Sequence, residues 1–317
     1  MPDRSNILAG VLCGAAAGAL WGLIFLAPEL VREFSPLHLA IGRYLFFGLI
    51  ALVLLAPRLR AVLPDVGRRE WRMLAGLALV GNLLYYVLIG AAVQLGGIAM
   101  TSLVIGFLPV AVTLIGSREA HAVPLRRLAL PLALGIAGVS CIGWQALALP
   151  APGSAGRQAG GLLCALGALA SWTWFAVANS RSLVRLRHIT AHDWNLLTGI
   201  VTGALTLALV PFAVLFTSSA HAPLDWLRLI GVSAGLAFFA SIVGNALWNR
   251  MSRLLPLTLT GQMILFETLF ALLYGFTWEQ RPPTALEATA FLLVALSVIA
   301  CVAIHRRPAA KTAMETA

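Results

Sequence analysis

The chain has 317 residues, of which 60% are hydrophobic and only 11% charged, and its mean hydropathy is +0.91. A soluble domain carries about 25% charged residues. Less than half of that cannot clothe a water-facing surface of this size, which excludes an ordinary soluble enzyme, a disordered chain and a small disulfide-stapled domain. The 22 basic residues outnumber the 12 acidic ones, but the arginines sit in short segments between long apolar runs, the pattern of a membrane protein rather than of a nucleic-acid binder.

A membrane-crossing helix needs about 20 mostly apolar residues. Ten such runs follow one another, over residues 7–28, 37–56, 71–93, 97–116, 125–147, 161–181, 191–216, 226–248, 254–278 and 284–305. The first is too long for the apolar core of a cleavable signal and lacks a cleavage site, so it reads as a span. With the N-terminus inside, 17 of the basic residues fall in inner segments, Arg32, Arg157, Arg228 and Arg281 fall outside, and Arg43 lies within a span. That bias runs through every alternate loop and predicts cytoplasmic N- and C-termini in a bacterial-type inner membrane. Cys13, Cys141, Cys164 and Cys301 all lie in predicted spans, with no CxxC or Cys/His cluster, so neither a disulfide nor a metal site is expected.

The second half repeats the first. At an offset of 151, Cys13, Trp21, Ala27, Leu45 and Gly48 fall on Cys164, Trp172, Ala178, Leu196 and Gly199. At 155, Trp71, Leu74 and Gly76 fall on Trp226, Leu229 and Gly231; at 159, Thr101, Ile105 and Phe107 fall on Thr260, Ile264 and Phe266; at 160, Cys141 falls on Cys301. The offset only grows, as a duplication with small loop insertions would give. Five spans per half is an odd number, so the halves must cross in opposite senses. The expected fold is therefore all-α: ten transmembrane helices as two inverted five-helix repeats, residues 7–147 and 161–305, with a short basic tail at 306–317. Inverted repeats are a transporter architecture with the binding site near mid-membrane.

Four short motifs stand out: Ala19, Leu20, Trp21 and Gly22 in the first span, Ile41, Gly42, Arg43 and Tyr44 opening the second, Phe107, Leu108 and Pro109 in the fourth, and Phe266 and Glu267 in the ninth. In these the chain resembles the drug/metabolite transporter superfamily, in its ten-helix EamA-type family. Thr268 stands where many members have proline, and Glu119 and Glu279 lie slightly early for the family's acidic residue, so no role is carried onto them. The resemblance covers nearly the whole chain as two EamA-like units. It implies a secondary transporter, usually an exporter of amino acids or other small metabolites.

Charges in hydrocarbon default to functional candidates. Arg43 and Glu267 are the two clear cases, roughly 10 Å and 16 Å from the outer ends of their helices at 1.5 Å per residue. Together they suit a polar or zwitterionic substrate, with Glu267 as a candidate proton carrier. The plainer alternative is a structural ion pair, and Arg43 is near enough to a span end to snorkel toward water. On the third span Asn82, Tyr85, Tyr86 and Ile89 share a helical face; on the eighth, Phe238, Ser241, Asn245 and Trp248 do, with Trp248 placed where an interfacial anchor would sit. Trp21 and Trp172 are the repeat-matched tryptophans, with Asn179 two turns beyond the second. Thr260, Met263 and Glu267 share a face of the ninth span, and Gln262 faces elsewhere. The candidate substrate-binding set is thus Trp21, Arg43, Asn82, Tyr85, Tyr86, Trp172, Asn179, Ser241, Asn245, Met263 and Glu267. Each has a packing alternative.

Glycines at 10, 14, 18 and 22 form a ridge, and Gly199 with Gly203 and Gly231 with Gly235 repeat the theme; such small-residue stripes let helix backbones approach closely. Pro109, Pro131 and Pro211 are candidate bends. Gly231, Ser233 and Gly235 match a G-x-S-x-G pattern, but no histidine lies in a span interior to serve as base, and no HExxH or nucleotide-binding loop occurs, so neither hydrolase nor pump is expected. No cofactor is implied. The expected partners are the lipid bilayer, a small-molecule substrate and, if Glu267 carries them, protons. The competing readings are a non-transporting multi-span receptor or scaffold, which has no need of an inverted repeat, and a lipid flippase, which needs a lateral opening between helices.

Overall fold

A computed structural model describes residues 4–31, 33–118, 122–147, 155–186, 188–216, 221–280 and 282–306. Every regular element among them is helical. In chain order these are α1 (Arg4–Leu30), α2 (Pro36–Leu55), the short α3 (Leu59–Val62), α4 (Arg68–Gly76), a π-helical stretch Leu77–Leu84, α5 (Tyr85–Ile105), α6 (Leu108–Gly116), α7 (Leu125–Leu147), α8 (Ala155–Arg185), α9 (Ala191–Thr206), α10 (Val210–Phe216), α11 (Pro223–Leu236), a second π-helical stretch Ala237–Gly244, α12 (Asn245–Leu254), α13 (Leu257–Met263), α14 (Leu265–Glu279) and α15 (Ala285–Arg306). Eight helices among the described residues are long and apolar enough to cross a membrane, and they coincide with the first three and the last five predicted spans.

The breaks fall where backbone chemistry puts them. α2 starts with Pro36 at its first position after an extended Ser35, and α11 likewise with Pro223 after an extended Ala222, because proline's missing N–H costs nothing in a first turn. The expected turn near residues 94–96 is absent: helix continues to Ile105 and bends at Gly106 and Phe107, immediately before Pro109. Glycines there weaken a helix by about 1 kcal/mol each without forbidding it, whereas Pro109 removes a donor outright. Pro131 lies inside an uninterrupted α7. The ninth predicted span is two helices, α13 and α14, parted at Ile264.

Packing crosses the midpoint of the chain throughout. α1 packs on α12 and α14, α2 on α9, α5 on α8, α6 on α13 and α7 on α15. The two halves are interleaved, and neither could bury its faces alone. Glycine sets the tightest crossings. A Cβ on Gly48 would lie 2.8 Å from Gly203 Cα, and one on Gly18 would lie 2.8 Å from Glu267 N, so the α1 ridge presses directly on the backbone of α14. Gly231 and Gly235 do not repeat this theme: nothing lies within 4 Å of a Cβ on either, because α11 turns this face outward among exposed Leu224, Leu227 and Ile230. The outer surface is a belt of large apolar side chains, including Leu49, Val53, Leu163, Val214, Leu215, Phe216 and Ile299, which lipid but not water would solvate.

Two substitutions separate close approach from mere glycine content. Gly203→Ala, forced against Gly48, is expected to lower stability by about 1–3 kcal/mol, and Gly231→Ala to leave it unchanged or slightly raised; thermal unfolding of the detergent-purified protein reads both.

Candidate functional site

The site is organised by the two π-helical stretches. Each is eight residues long, and they start 160 positions apart, at Leu77 and Ala237. Changing between i→i+4 and i→i+5 bonding leaves carbonyls without a helical partner, and side chains or water must supply one. Here side chains from the opposite half do so. Ser171 Oγ on α8 donates to Val80 O, while Trp21 Nε1 on α1 donates to Ala240 O at 3.0 Å. Asn195 Nδ2 on α9 adds bonds to Ser241 O (3.3 Å) and Ile242 O (3.1 Å).

Arg43 on α2 is held between the second π stretch and the start of α5. Its Nε donates to Ser241 Oγ at 3.0 Å, and its Nη1 donates to the Tyr86 hydroxyl. The guanidinium carbon lies 5.3 Å from the centroid of the Tyr44 ring and 5.1 Å from that of Tyr86, so π faces and hydroxyls together solvate a cation that is only 6% exposed. Glu267 follows the break at Ile264 and sits in the first turn of α14, where a helix N-terminus favours an anion. It lies within electrostatic reach of Arg43 and forms no direct ion pair with it among the described residues.

Aromatic rings connect this pair to the bundle centre. Tyr44 meets Tyr86 at 5.3 Å between centroids, Tyr86 meets Tyr85 at 6.1 Å, and Tyr85 meets Trp172 at 6.5 Å. Trp172 then closes a triad with Trp21 (6.1 Å) and Trp248 (5.8 Å), which lie 5.0 Å from each other. Trp248 Nε1 and Thr260 Oγ1 are buried and have no hydrogen-bond partner among the described residues.

Of the predicted residues, Trp21, Arg43, Tyr85, Tyr86, Trp172 and Ser241 come together here, with Glu267 facing them. Others are engaged differently. Asn82 does not share the tyrosines' direction: its Nδ2 donates to Thr202 Oγ1 on α9 at 2.9 Å. Asn179 is a clasp, accepting from Trp194 Nε1 at 2.9 Å and donating to Asn249 Oδ1 at 2.8 Å, which uses both ends of its amide. Met263 is buried, its Cβ packed against Gly14, and Asn245 is half-buried at the start of α12. The eighth-span stripe breaks, since the π stretch rotates Phe238 outward to 44% exposure while Ser241 stays in. Trp248 is no interfacial anchor; it is 2% exposed inside the triad. Arg43 does not snorkel, because hydroxyls and rings meet it where it is. Gln262 is tied to α6 and α15. Glu119 lies outside the described residues. Sequence reasoning missed Asn195 and the threonine stripe Thr198, Thr202 and Thr206, each of which returns its hydroxyl to the carbonyl four residues back. Their four-residue spacing along a buried helix was the available signal. A groove of about 350 Å³ elsewhere is lined by the apolar side chains of Val11, Phe266, Val298, Ile299, Val302 and Ala303.

Residues 8–144 match the model of the EamA-like transporter family. The chain is 32% identical over 316 residues to the inner membrane protein YtfF of Escherichia coli strain K12, covering 95% of this chain and 97% of that protein. A crystal structure at 20% identity shares the fold with a TM-score of 0.73, over 95% of this chain and 97% of the other.

Trp21→Phe keeps the ring contacts but strands the Ala240 carbonyl, and Ser171→Ala does the same to Val80. Each is expected to cost about 1 kcal/mol of stability, measured by thermal unfolding in detergent.

Proposed function

Because the chain belongs to the EamA-like transporter family of the drug/metabolite transporter superfamily, we propose that it exports amino acids or similar small metabolites by alternating access, as a secondary or facilitative carrier. The observation that carries this reading is the pairing of buried Arg43 with half-buried Glu267, brought from opposite halves of the chain, beside a strip of six aromatic rings. A solute leaving water needs a few fixed polar groups and a large apolar wall. In this reading Arg43 meets the anionic group, Glu267 the cationic group or an exchanged proton, and the tyrosines and tryptophans the apolar remainder. Two opposite charges held apart favour a zwitterion over an ion of either sign. Asn82, Asn179, Asn245 and Met263 support the wall from behind.

An inverted repeat is supported by paired features at nearly constant offset. The π stretches are 160 positions apart, and so are the stitched carbonyls of Val80 and Ala240. Ser35 and Thr190, 155 apart, start α2 and α9 with almost the same backbone, φ −67°, ψ 152° and φ −66°, ψ 153°. The ion pairs Glu33–Arg228 (3.2 Å) and Glu70–Arg185 (3.4 Å) each join one half to the other. The arginine bias supports a bacterial inner-membrane setting with both termini cytoplasmic.

Proteoliposome counterflow against a panel of amino acids and metabolites tests the reading. Arg43→Leu, which strands the Tyr86 and Ser241 hydroxyls and removes the cation, is expected to reduce flux at least about tenfold. Glu267→Gln is expected to remove the pH dependence of flux if Glu267 exchanges protons; pH dependence equal to wild type would eliminate that role. No flux for any solute in the panel would favour a receptor.

A further inference from the structure

The contact between α6 and α13 is a cluster of linked hydrogen bonds. α2 meets α9 through glycine and apolar side chains, and α1 meets α14 along its glycine ridge with a Tyr274–Ala19 bond beside it, but α6 and α13 meet through a polar seam. Backbones approach at Gly116, where a Cβ would lie 2.9 Å from Thr258 N, and at Gly261, where a Cβ would lie 3.1 Å from Thr113 N. Beside these points Thr113 Oγ1 donates to Thr258 O at 3.3 Å, and Gln262 Nε2 donates to Thr113 Oγ1 at 3.2 Å. Ser297 Oγ on α15 reaches Gln262 Oε1 at 3.2 Å while also donating to Pro131 O on α7 at 2.6 Å. Thr258 Oγ1 lies 3.0 Å from His305 Nε2 in the last turn of α15. Gln262 is 1% exposed, and Thr113, Thr258 and Ser297 are fully buried. The seam lies at the end of the bundle where α6 stops and α13 begins. The arginine pattern assigns that end to the cytoplasm.

The chemistry of such a seam suits parting. Its bonds across the helix boundary are long, 3.2–3.3 Å, and Ser297 shares one hydrogen between two acceptors. Separating α6 from α13 would let water replace each of these bonds at small net cost. An apolar seam of the same size would instead expose hydrocarbon, at about 25 cal/mol per Å². We propose that the Thr113–Gln262–Ser297 seam is the parting line of the closed end of the transporter, and that Gln262, a positioning residue without a substrate contact, sets the balance between its closed and open states. Gln262 is also two residues from the break at Ile264, so movement of α13 changes how α14 presents Glu267. The gate presupposes the alternating-access reading. Cysteine labelling reads the gate without any substrate, and counterflow reads transport without any label, so either can fail alone.

The test uses Thr260→Cys as reporter, buried on α13, in full-length protein with its four native cysteines replaced by alanine. A membrane-impermeant maleimide is applied to the face of the closed end in oriented vesicles. Gln262→Leu must expose a large apolar side chain to open, so labelling is expected to slow about tenfold. Gln262→Glu places a carboxylate that prefers hydration, and labelling is expected to quicken about tenfold. Thr113→Val, a milder change, should slow it in the same direction as Gln262→Leu. Opposite responses to leucine and glutamate support the gate. Rates that stay at the wild-type value, or that rise in both variants as general loosening would give, overturn it. If either Gln262 variant fails to fold, Thr113→Val decides: slower labelling supports the seam, and unchanged or faster labelling removes it.

Discussion

The bundle depends on satisfying carbonyls that two π-helical stretches set free in a medium with no water to spare. Lipid offers no hydrogen bonds, so every irregularity in a membrane helix needs a partner inside the protein. Two partners come from the opposite half of the chain, Ser171 for Val80 and Trp21 for Ala240, and Asn195 of the same half serves Ser241 and Ile242. These bonds tie α1 to the second half and α8 to the first at the depth of the site. They also orient the rings, because Trp21 cannot donate to Ala240 without lying against Trp172 and Trp248.

Arg43 extends the same logic to a full charge. A guanidinium in hydrocarbon is tolerated only where donors and π faces replace its water. Ser241, Tyr86 and Tyr44 do so, and they come from three separate elements, so the cation holds α2, α5 and the second π stretch in one register. Glu267 is left outside this arrangement, on a helix start pressed against the glycine ridge of α1. A positive group held through Nε and Nη1 and a negative one held apart from it form an asymmetric site, and in the proposed reading a zwitterionic solute uses that asymmetry. The polar seam between α6 and α13 is the complementary device, cohesive enough to close and wettable enough to part.

Much of this was legible in the residues. Long apolar runs separated by arginines outline the helices, and eight of them recur as helices able to span. The two intramembrane charges stand out against hydrocarbon, and the repeated tryptophans and glycines mark the interleaved halves. Periodicity misled where it assumed 3.6 residues per turn throughout. The π stretches shift the register by about one residue per turn, which turns Phe238 outward and aims Asn82 at α9. Trp248 looked interfacial by its position near a span end, yet it fills the floor of the aromatic strip.

Composition and spacing by themselves establish a multi-helix membrane protein with a duplicated pattern and name its buried charges, because hydrocarbon punishes any polar residue without a reason to be there. Which of those residues face one another, which carbonyl each side chain caps and where the helices can part emerge only from packing across the midpoint of the chain. Those contacts join distant positions, as Tyr274 does in donating to Ala19 O 255 residues away, and no local period encodes a partner at that distance.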